Sequence, residues 1–334
     1  MRKLIIEKAA VRANMAVIKE RARGAALYGV LTGDGGGAGL TELARLIRDE
    51  GISRFAVGTV EEAQALREAG FEDEELLMLR ATVDREELER LVDLNVVCTI
   101  SSVDTGLALN ALAENRSTVA EAHIQVDTGM GFGGFLIGEP EKILLAYRSL
   151  PNVALSGIYT QLHAVSPKGP EVGAQLRQFR QVLDAIHAAG FETGVVHAAG
   201  SFSLLHDDSA RLDGVRAGSA ILGRCRRTRD DGLRTVGYGE APLAEVRWLP
   251  RGHTIGADPC AEKAYPSGRP TRGLSERLWR GAPPAVRPDR PAGPVAPEPE
   301  THRPRRRAAR PGAGPRGRQR DYSGCNQHEM RLWG

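Results

Sequence analysis

Residues 27–51 read LYGVLTGDGGGAGLTELARLIRDEG, and their order decides the fold class. A short apolar run, Leu27 to Leu31, leads into a glycine-rich turn. A stretch with helical spacing begins near Leu40 and ends at Gly51, glycine being the preferred stop of a helix. Strand, turn and helix in that order make half of a βαβ unit. The turn itself is the usual setting of an anion cradle, because consecutive glycines let backbone amides approach a ligand. It lacks the Gly-Lys-Ser/Thr of a P-loop, and the GxGxxG spacing is not met. Its only reactive side chains are Thr32 and Asp34.

The same unit recurs along the chain. Further apolar runs of strand length fall at Phe55–Val57, Leu76–Leu79, Val96–Ile100, His123–Val126, Leu155–Tyr159, Val195–His197 and Gly214–Ala217. Between most of them lie helical stretches such as VEEAQALREAG, DREELERLVDL, EPEKILLAYRSL and EVGAQLRQFRQVLDAIHAAG. Short buried strands separated by amphipathic helices predict a parallel sheet. Eight of them in this length predict a closed (β/α)₈ TIM barrel, with an open doubly wound sheet as the alternative. In such a barrel the chemistry sits at the C-terminal ends of the strands. Those ends read LTGDGGG, GTVEE, RATVD, ISSVD, VDTGMGFGG, YTQLHAV, HAAGSFS and RAGSA, and they are rich in Gly, Ser, Thr and His.

Composition bounds the remaining possibilities. The chain has 334 residues, 41% hydrophobic and 26% charged, which is the make-up of a soluble protein. No apolar run approaches the ~20 residues that span a bilayer, so no membrane partner is expected. MRKLIIEKAAVRANM lacks an apolar signal core, and a cytoplasmic location is the expectation. Cys98, Cys225, Cys260 and Cys325 are scattered and form no CxxC pair, which points to neither zinc nor disulfides. Cys98 reads as a core thiol. The last 78 residues, 257–334, hold 16 Lys+Arg against 8 Asp+Glu and 13 of the 19 prolines, so the basic balance belongs to this tail. With no Phe or Ile, it is expected to be disordered. Its HRPRRRAAR run reads as a solvated basic stretch rather than a nucleic-acid site, since no aromatics are interleaved to stack on bases.

The strand-end segments GVLTGDGGGAGL, FAVGTVEEA, HIQVDTGMGFGGF, GIYTQLHA, VVHAAGS and LDGVRAGSAILGR, followed by LPRGHTIG, resemble the alanine racemase family in order and spacing. The resemblance covers residues 1 to about 256. It implies a barrel over residues 1–235, the start of a C-terminal β domain over 236–256, and a pyridoxal 5'-phosphate cofactor. It also implies a homodimer in which each chain completes its partner's site. The β-domain pattern breaks off near Gly256, as a reading-frame shift in the coding DNA would make it do.

Position by position, the resemblance places Thr32 where the family carries its cofactor-bearing lysine, and Gly36 where it carries a phosphate-binding tyrosine. Phe132 stands for the arginine that supports the second base, Gln125 for a common lysine, Gln161 for a histidine and Gly200 for an asparagine. His163 lies two positions beyond Gln161 on the same side of the strand. What the resemblance leaves intact is the floor: Ser201, Gly218 and Ser219 for the phosphate and Arg216 for the pyridine ring. Asp127 and His197 read as site-wall scaffold. Tyr238 and Tyr265 sit in no recognisable motif, and Lys168 is the one lysine expected on the site face. A threonine cannot form the covalent link, because only a primary amine condenses with the aldehyde. The expectation is therefore a racemase of alanine or a similar small amino acid by ancestry, with catalysis lost or strongly impaired. The alternatives are a barrel that binds pyridoxal phosphate or another phosphate ligand without catalysis, and a non-functional product of a decayed gene.

Overall fold

The computed structural model describes residues 3–163, 170–225 and 231–240, all within one compact unit. Lys168, Tyr265, the LPRGHTIG segment and the tail lie outside the described residues. The barrel strands are β1 (Ala26–Val30), β2 (Arg54–Val57), β3 (Glu75–Met78), β4 (Val96–Ile100), β5 (Ala120–Asp127), β6 (Val153–Thr160), β7 (Val195–Ala199) and β8 (Gly214–Ala217). Each pairs in parallel with the next, and β8 pairs with β1, so the sheet closes. The (β/α)₈ barrel expected from the apolar runs is the fold, and no open sheet edge remains among these eight strands. A two-residue strand, Phe135–Leu136, adds to the end of β5.

Seven helices follow the strands: α1 (Leu40–Asp49), α2 (Val60–Glu68), α3 (Arg85–Asp93), α4 (Val103–Asn115), α5 (Pro140–Ser149), α6 (Pro170–Ala188) and α7 (Ser201–His206). Their starts are set by local chemistry. The Thr59 hydroxyl accepts from the Glu62 amide, and the Asp84 carboxylate accepts from the Glu87 amide. Ser102 and Thr105 form a reciprocal capping box ahead of α4. Each helix turns an apolar stripe to the outside of the barrel. α1, for example, buries Leu40, Leu43, Ala44 and Ile47. Full burial of a Leu or Ile side chain is worth about 1.5–3 kcal/mol, so each stripe contributes several kcal/mol of packing energy.

The place of a helix after β8 is taken from the other end of the chain. The N-terminal helix Lys8–Ala22 packs against both α1 and α7. Asn14 fixes it there: its fully buried amide donates to the carbonyls of Ile221 (2.9 Å) and Arg234 (2.8 Å) and accepts from the Arg234 amide (2.6 Å). An antiparallel pairing of Lys3–Ile6 with Gly237–Glu240 closes the same seam. Tyr238 lies on that outer pair, opposite Ile5.

The inside of the barrel is unusual in composition. Barrels of this kind are filled mainly by branched aliphatic side chains. Here Tyr28, Leu77 and Val97 form a small apolar cluster, and Thr99, His123, Tyr159, His197 and Arg216 are buried with them. Cys98 is buried, as expected, and burial pushes its thiol up to about 12. No helix of the described residues is long and apolar enough to cross a membrane.

Candidate functional site

The loop after β1 forms a left-handed turn. Gly33, Asp34, Gly35 and Gly36 all have φ between 56° and 67° with positive ψ. Glycine accepts this conformation without steric cost, which explains three of the four. Asp34 is held by its side chain, whose Oδ1 accepts from the Leu40 amide (2.8 Å) and so starts α1. The amides turned inward by the loop meet a carboxylate of the chain itself. Glu62 Oε1 accepts from Gly33 (2.7 Å) and Asp34 (3.2 Å), and its Oε2 accepts from Gly58 (2.8 Å). The amides that meet this carboxylate belong to Gly33 and Asp34, ahead of the glycine run at 35–37. Sequence reasoning missed Glu62 because two of its three partners, Gly33 and Asp34, lie 29 and 28 residues away.

Ser201 and Gly218 meet because β7 and β8 are neighbours. Ser201 Oγ accepts from the amides of Gly218 (2.9 Å) and Ala220 (3.1 Å). Ser219 follows in the same turn, and its carbonyl accepts from the Arg224 amide (2.8 Å). The start of α7 and the turn after β8 are thus joined by the Ser201 hydroxyl, at the end of the barrel where folds of this kind hold phosphate.

Arg216 lies beside this turn, wholly buried. Its Nη1 meets His197 Nδ1 (2.7 Å), and its Nη2 donates to the Thr160 carbonyl (2.8 Å) and Gln161 Oε1 (3.0 Å). The guanidinium also lies over the Tyr159 ring, 5.1 Å from its centre. Burial lowers its pKa to about 10, which still leaves it charged at neutral pH. Behind it, His197 is stacked between Tyr28 and Tyr159, and its Nε2 lies 2.9 Å from His123 Nδ1. Burial, then the Arg216 charge, holds His123 down to about 4 and His197 well below its usual value, so both rings are neutral. His123 was not foreseen as a site residue. Its signal was its place in HIQVD, where alternation puts His123, Gln125 and Asp127 on one face of β5.

The other foreseen positions lie around the mouth. Asp127 Oδ1 accepts from the amides of Gly129 (2.8 Å) and Gly131 (3.1 Å) and so shapes the loop that carries Phe132. Phe132 is about half exposed, and its carbonyl accepts from Gln125 Nε2 (3.3 Å). Gln175 of α6 joins two strand ends: it donates to Thr128 (3.1 Å) and accepts from the His163 amide (2.9 Å). Thr32 stands at the end of β1, where a methyl group on Gly58 would lie 3.2 Å from its Cγ2.

Pyridoxal phosphate fits this arrangement in one half only. The chemistry of Ser201, the Gly218–Ala220 turn and Arg216 is compatible with a phosphate and a pyridine ring. Covalent attachment needs an amine, and no described lysine lies on a barrel strand or in a loop that follows one. Lys19 and Lys142 are ion-paired on outer helices, with Glu50 and Glu139. No cluster of metal-binding side chains occurs among the described residues.

The profile described as "Alanine racemase, N-terminal domain" matches residues 6–225. The alanine racemase of Desulfosudis oleivorans is 30% identical over 265 residues, 75% of this chain and 67% of its own length. That of Carboxydothermus hydrogenoformans is 31% identical over 251 residues, 73% and 67% respectively. Among solved structures, the alanine racemase of Streptomyces coelicolor superimposes with a TM-score of 0.68 at 28% identity, covering 77% of this chain and 70% of its own. The Bartonella henselae structure, described with covalently bound pyridoxal phosphate, shares the fold at a TM-score of 0.69 and 21% identity, over 77% of this chain and 70% of its own. A profile running from Ile6, just ahead of the N-terminal helix, to the turn after β8, with relatives at 30% and 31% identity over two thirds of their own length, leaves one conclusion: the chain belongs to the alanine racemase family.

Proposed function

We propose that this chain is a non-racemising member of its family that binds pyridoxal 5'-phosphate, or a similar phosphate ligand, without a covalent bond. The observation that carries the reading is the split at the barrel mouth. In support of a phosphate side, Ser201 Oγ accepts from two backbone amides and Arg216 is fixed beside them. Next to it, at the end of the neighbouring strand β1, Thr32 stands where resemblance expects the lysine, and the glycine loop is closed on Glu62. When bound, the cofactor would supply electron withdrawal from an attached amino acid. This chain's own residues do less. Ser201, Gly218, Ser219 and Ala220 hold the phosphate, and Arg216 presents a fixed positive charge to the ring. Racemisation also needs a proton-transfer group on each face of the substrate. Thr32 is a poor base, having no accessible pKa near neutrality, and Phe132 cannot support one. Loss of nucleophile and bases together removes turnover by several orders of magnitude, far more than any one change accounts for.

In this reading residues 1–235 are the ligand-binding barrel, and 236–256 begin a β domain that the tail does not complete. A homodimer belongs to the same reading by resemblance, and sedimentation of the full chain would measure it. The direct test is an absorbance titration with pyridoxal 5'-phosphate, before and after borohydride. Saturable binding with no fixed adduct is expected. A borohydride-fixed adduct would overturn the reading and point to an amine such as Lys168. Absence of any saturable phosphate binding would favour a decayed product instead.

A further inference from the structure

Arg216, His197 and His123 form one buried line from β8 through β7 to β5, and a single charge sets its direction. A guanidinium carries donors only, so the ring nitrogen it meets must accept. Arg216 Nη1 lies 2.7 Å from His197 Nδ1. The neutral His197 ring therefore carries its proton on Nε2, and that nitrogen lies 2.9 Å from His123 Nδ1. His123 Nδ1 must accept in turn, which leaves the His123 proton on Nε2. The packing preserves this order. His197 lies nearly parallel to Tyr28 (5.2 Å between centres, 19°) and to Tyr159 (4.9 Å, 19°). His123 is seated against Gly157, the one residue type that leaves room for its ring there.

We propose that His123 is a positioning residue for the strand-end site: its Nδ1 lone pair holds His197 in the Nε2-protonated form and so keeps the His197 Nδ1 lone pair on Arg216. It touches no ligand. Its effect passes through His197 to the guanidinium, whose other donors reach Thr160 and Gln161 at the mouth. Without that acceptor, the His197 Nε2–H is left unpaired in a dry interior, and only the Arg216 contact still holds the ring in this form. The other tautomer turns an N–H toward a group that has only donors. The guanidinium must then rotate or move away. The consequence for a ligand rests on the phosphate-binding reading above, whereas the tautomer does not.

Nitrogen-15 NMR of histidine-labelled full-length chain, without ligand, tests the first step. His197 is expected to show a protonated Nε2, an unprotonated Nδ1 and a nitrogen–nitrogen coupling across its bond to His123. A protonated Nδ1, or absence of that coupling, overturns the proposal whatever any variant does. His123→Gln keeps an acceptor oxygen and should keep the His197 pattern. A folded His123→Leu should lose it and shift the Arg216 guanidinium signals. Titration with pyridoxal 5'-phosphate then reads the second step. Affinity should fall about tenfold in His123→Leu, the factor expected for one orphaned buried donor, and be largely kept in His123→Gln. A folded His123→Leu with wild-type affinity overturns the positioning role. If the wild type does not bind pyridoxal phosphate at all, the functional reading fails while the NMR result still decides the role of His123 toward His197.

Discussion

A methyl group on residue 157 would lie 2.6–2.7 Å from three atoms of the His123 ring, closer than any stable contact. Gly157→Ala is therefore expected to displace that ring and to cost about 1–3 kcal/mol, the usual range for overpacking a filled core. Urea unfolding at neutral pH would measure it, and a change under about half a kcal/mol would show the ring to be loosely held. Thr32 raises the opposite matter, a residue whose restoration should achieve little. Thr32→Lys returns the amine, but Phe132 still offers no guanidinium and Gly36 no phenol. Nor can Gly36 simply be enlarged: its φ is +64°, and an added Cβ would meet Leu222 Cδ1 at 2.8 Å. Thr32→Lys is expected to form a borohydride-reducible adduct with pyridoxal phosphate yet yield no D-alanine from L-alanine. Strong racemisation would show that the other substitutions matter little. Which of these residues could be read beforehand follows from distance along the chain. Thr32, Ser201 and Arg216 stood out because short local motifs flank them. His123 did not, because an imidazole in an apolar strand looks the same whether it fills space or orders a partner 74 residues away.

The strands were legible because each is a short apolar run bounded by glycine or polar residues, and parallel strands buried on both faces must read that way. The helices were legible wherever an apolar stripe was sharp, as in α1. The left-handed turn of Gly33–Gly36 was visible only as a glycine run, and the carboxylate that accepts two of its amides, Glu62, comes from the next unit. The place of the N-terminal helix in the ring was not legible. That place is fixed by Asn14, whose partners lie 207 and 220 residues on. Asn14→Leu keeps the volume roughly and removes all three hydrogen bonds, leaving two carbonyls and one amide without partners. Each orphaned buried group costs about 1–3 kcal/mol, partly relieved by local adjustment, so a loss of about 3 kcal/mol is expected. Thermal unfolding would show the loss, and limited proteolysis should cut first before residue 24 as the helix detaches. An unchanged melting temperature would mean that packing alone seats this helix.

The whole barrel carries the consequence of keeping two imidazoles neutral in its interior. In the unfolded chain a histidine takes up its proton near pH 6.5; in the barrel His123 does so only near 4, because of burial first and the Arg216 charge second. His197 is shifted in the same direction by burial, Arg216 and His123 in that order. Between those two pH values the unfolded state binds more protons than the folded state, so stability must rise with pH across the window. The full stability is present above about pH 6.5 and is lost as the pH falls toward 4. For His123 alone the shift corresponds to about 3 kcal/mol, a large part of the margin of an ordinary domain. The groups facing His123 are His197 from β7, Tyr28 from β1 and Arg216 from β8, and no carboxylate acts on it to offset the effect. Surface carboxylates leave a different trace. Glu87, held below the ordinary carboxylate range by its hydrogen bond to Arg80, weakens the fold only below about pH 4.5. Urea midpoints at pH 7.5, 6 and 5 should therefore fall steadily in the wild type. His123→Gln cannot take up a proton and should start lower at pH 7.5 but fall less. Parallel curves for the two proteins would mean that acid acts elsewhere, and that the interior line of Arg216, His197 and His123 does not set the barrel's tolerance of low pH.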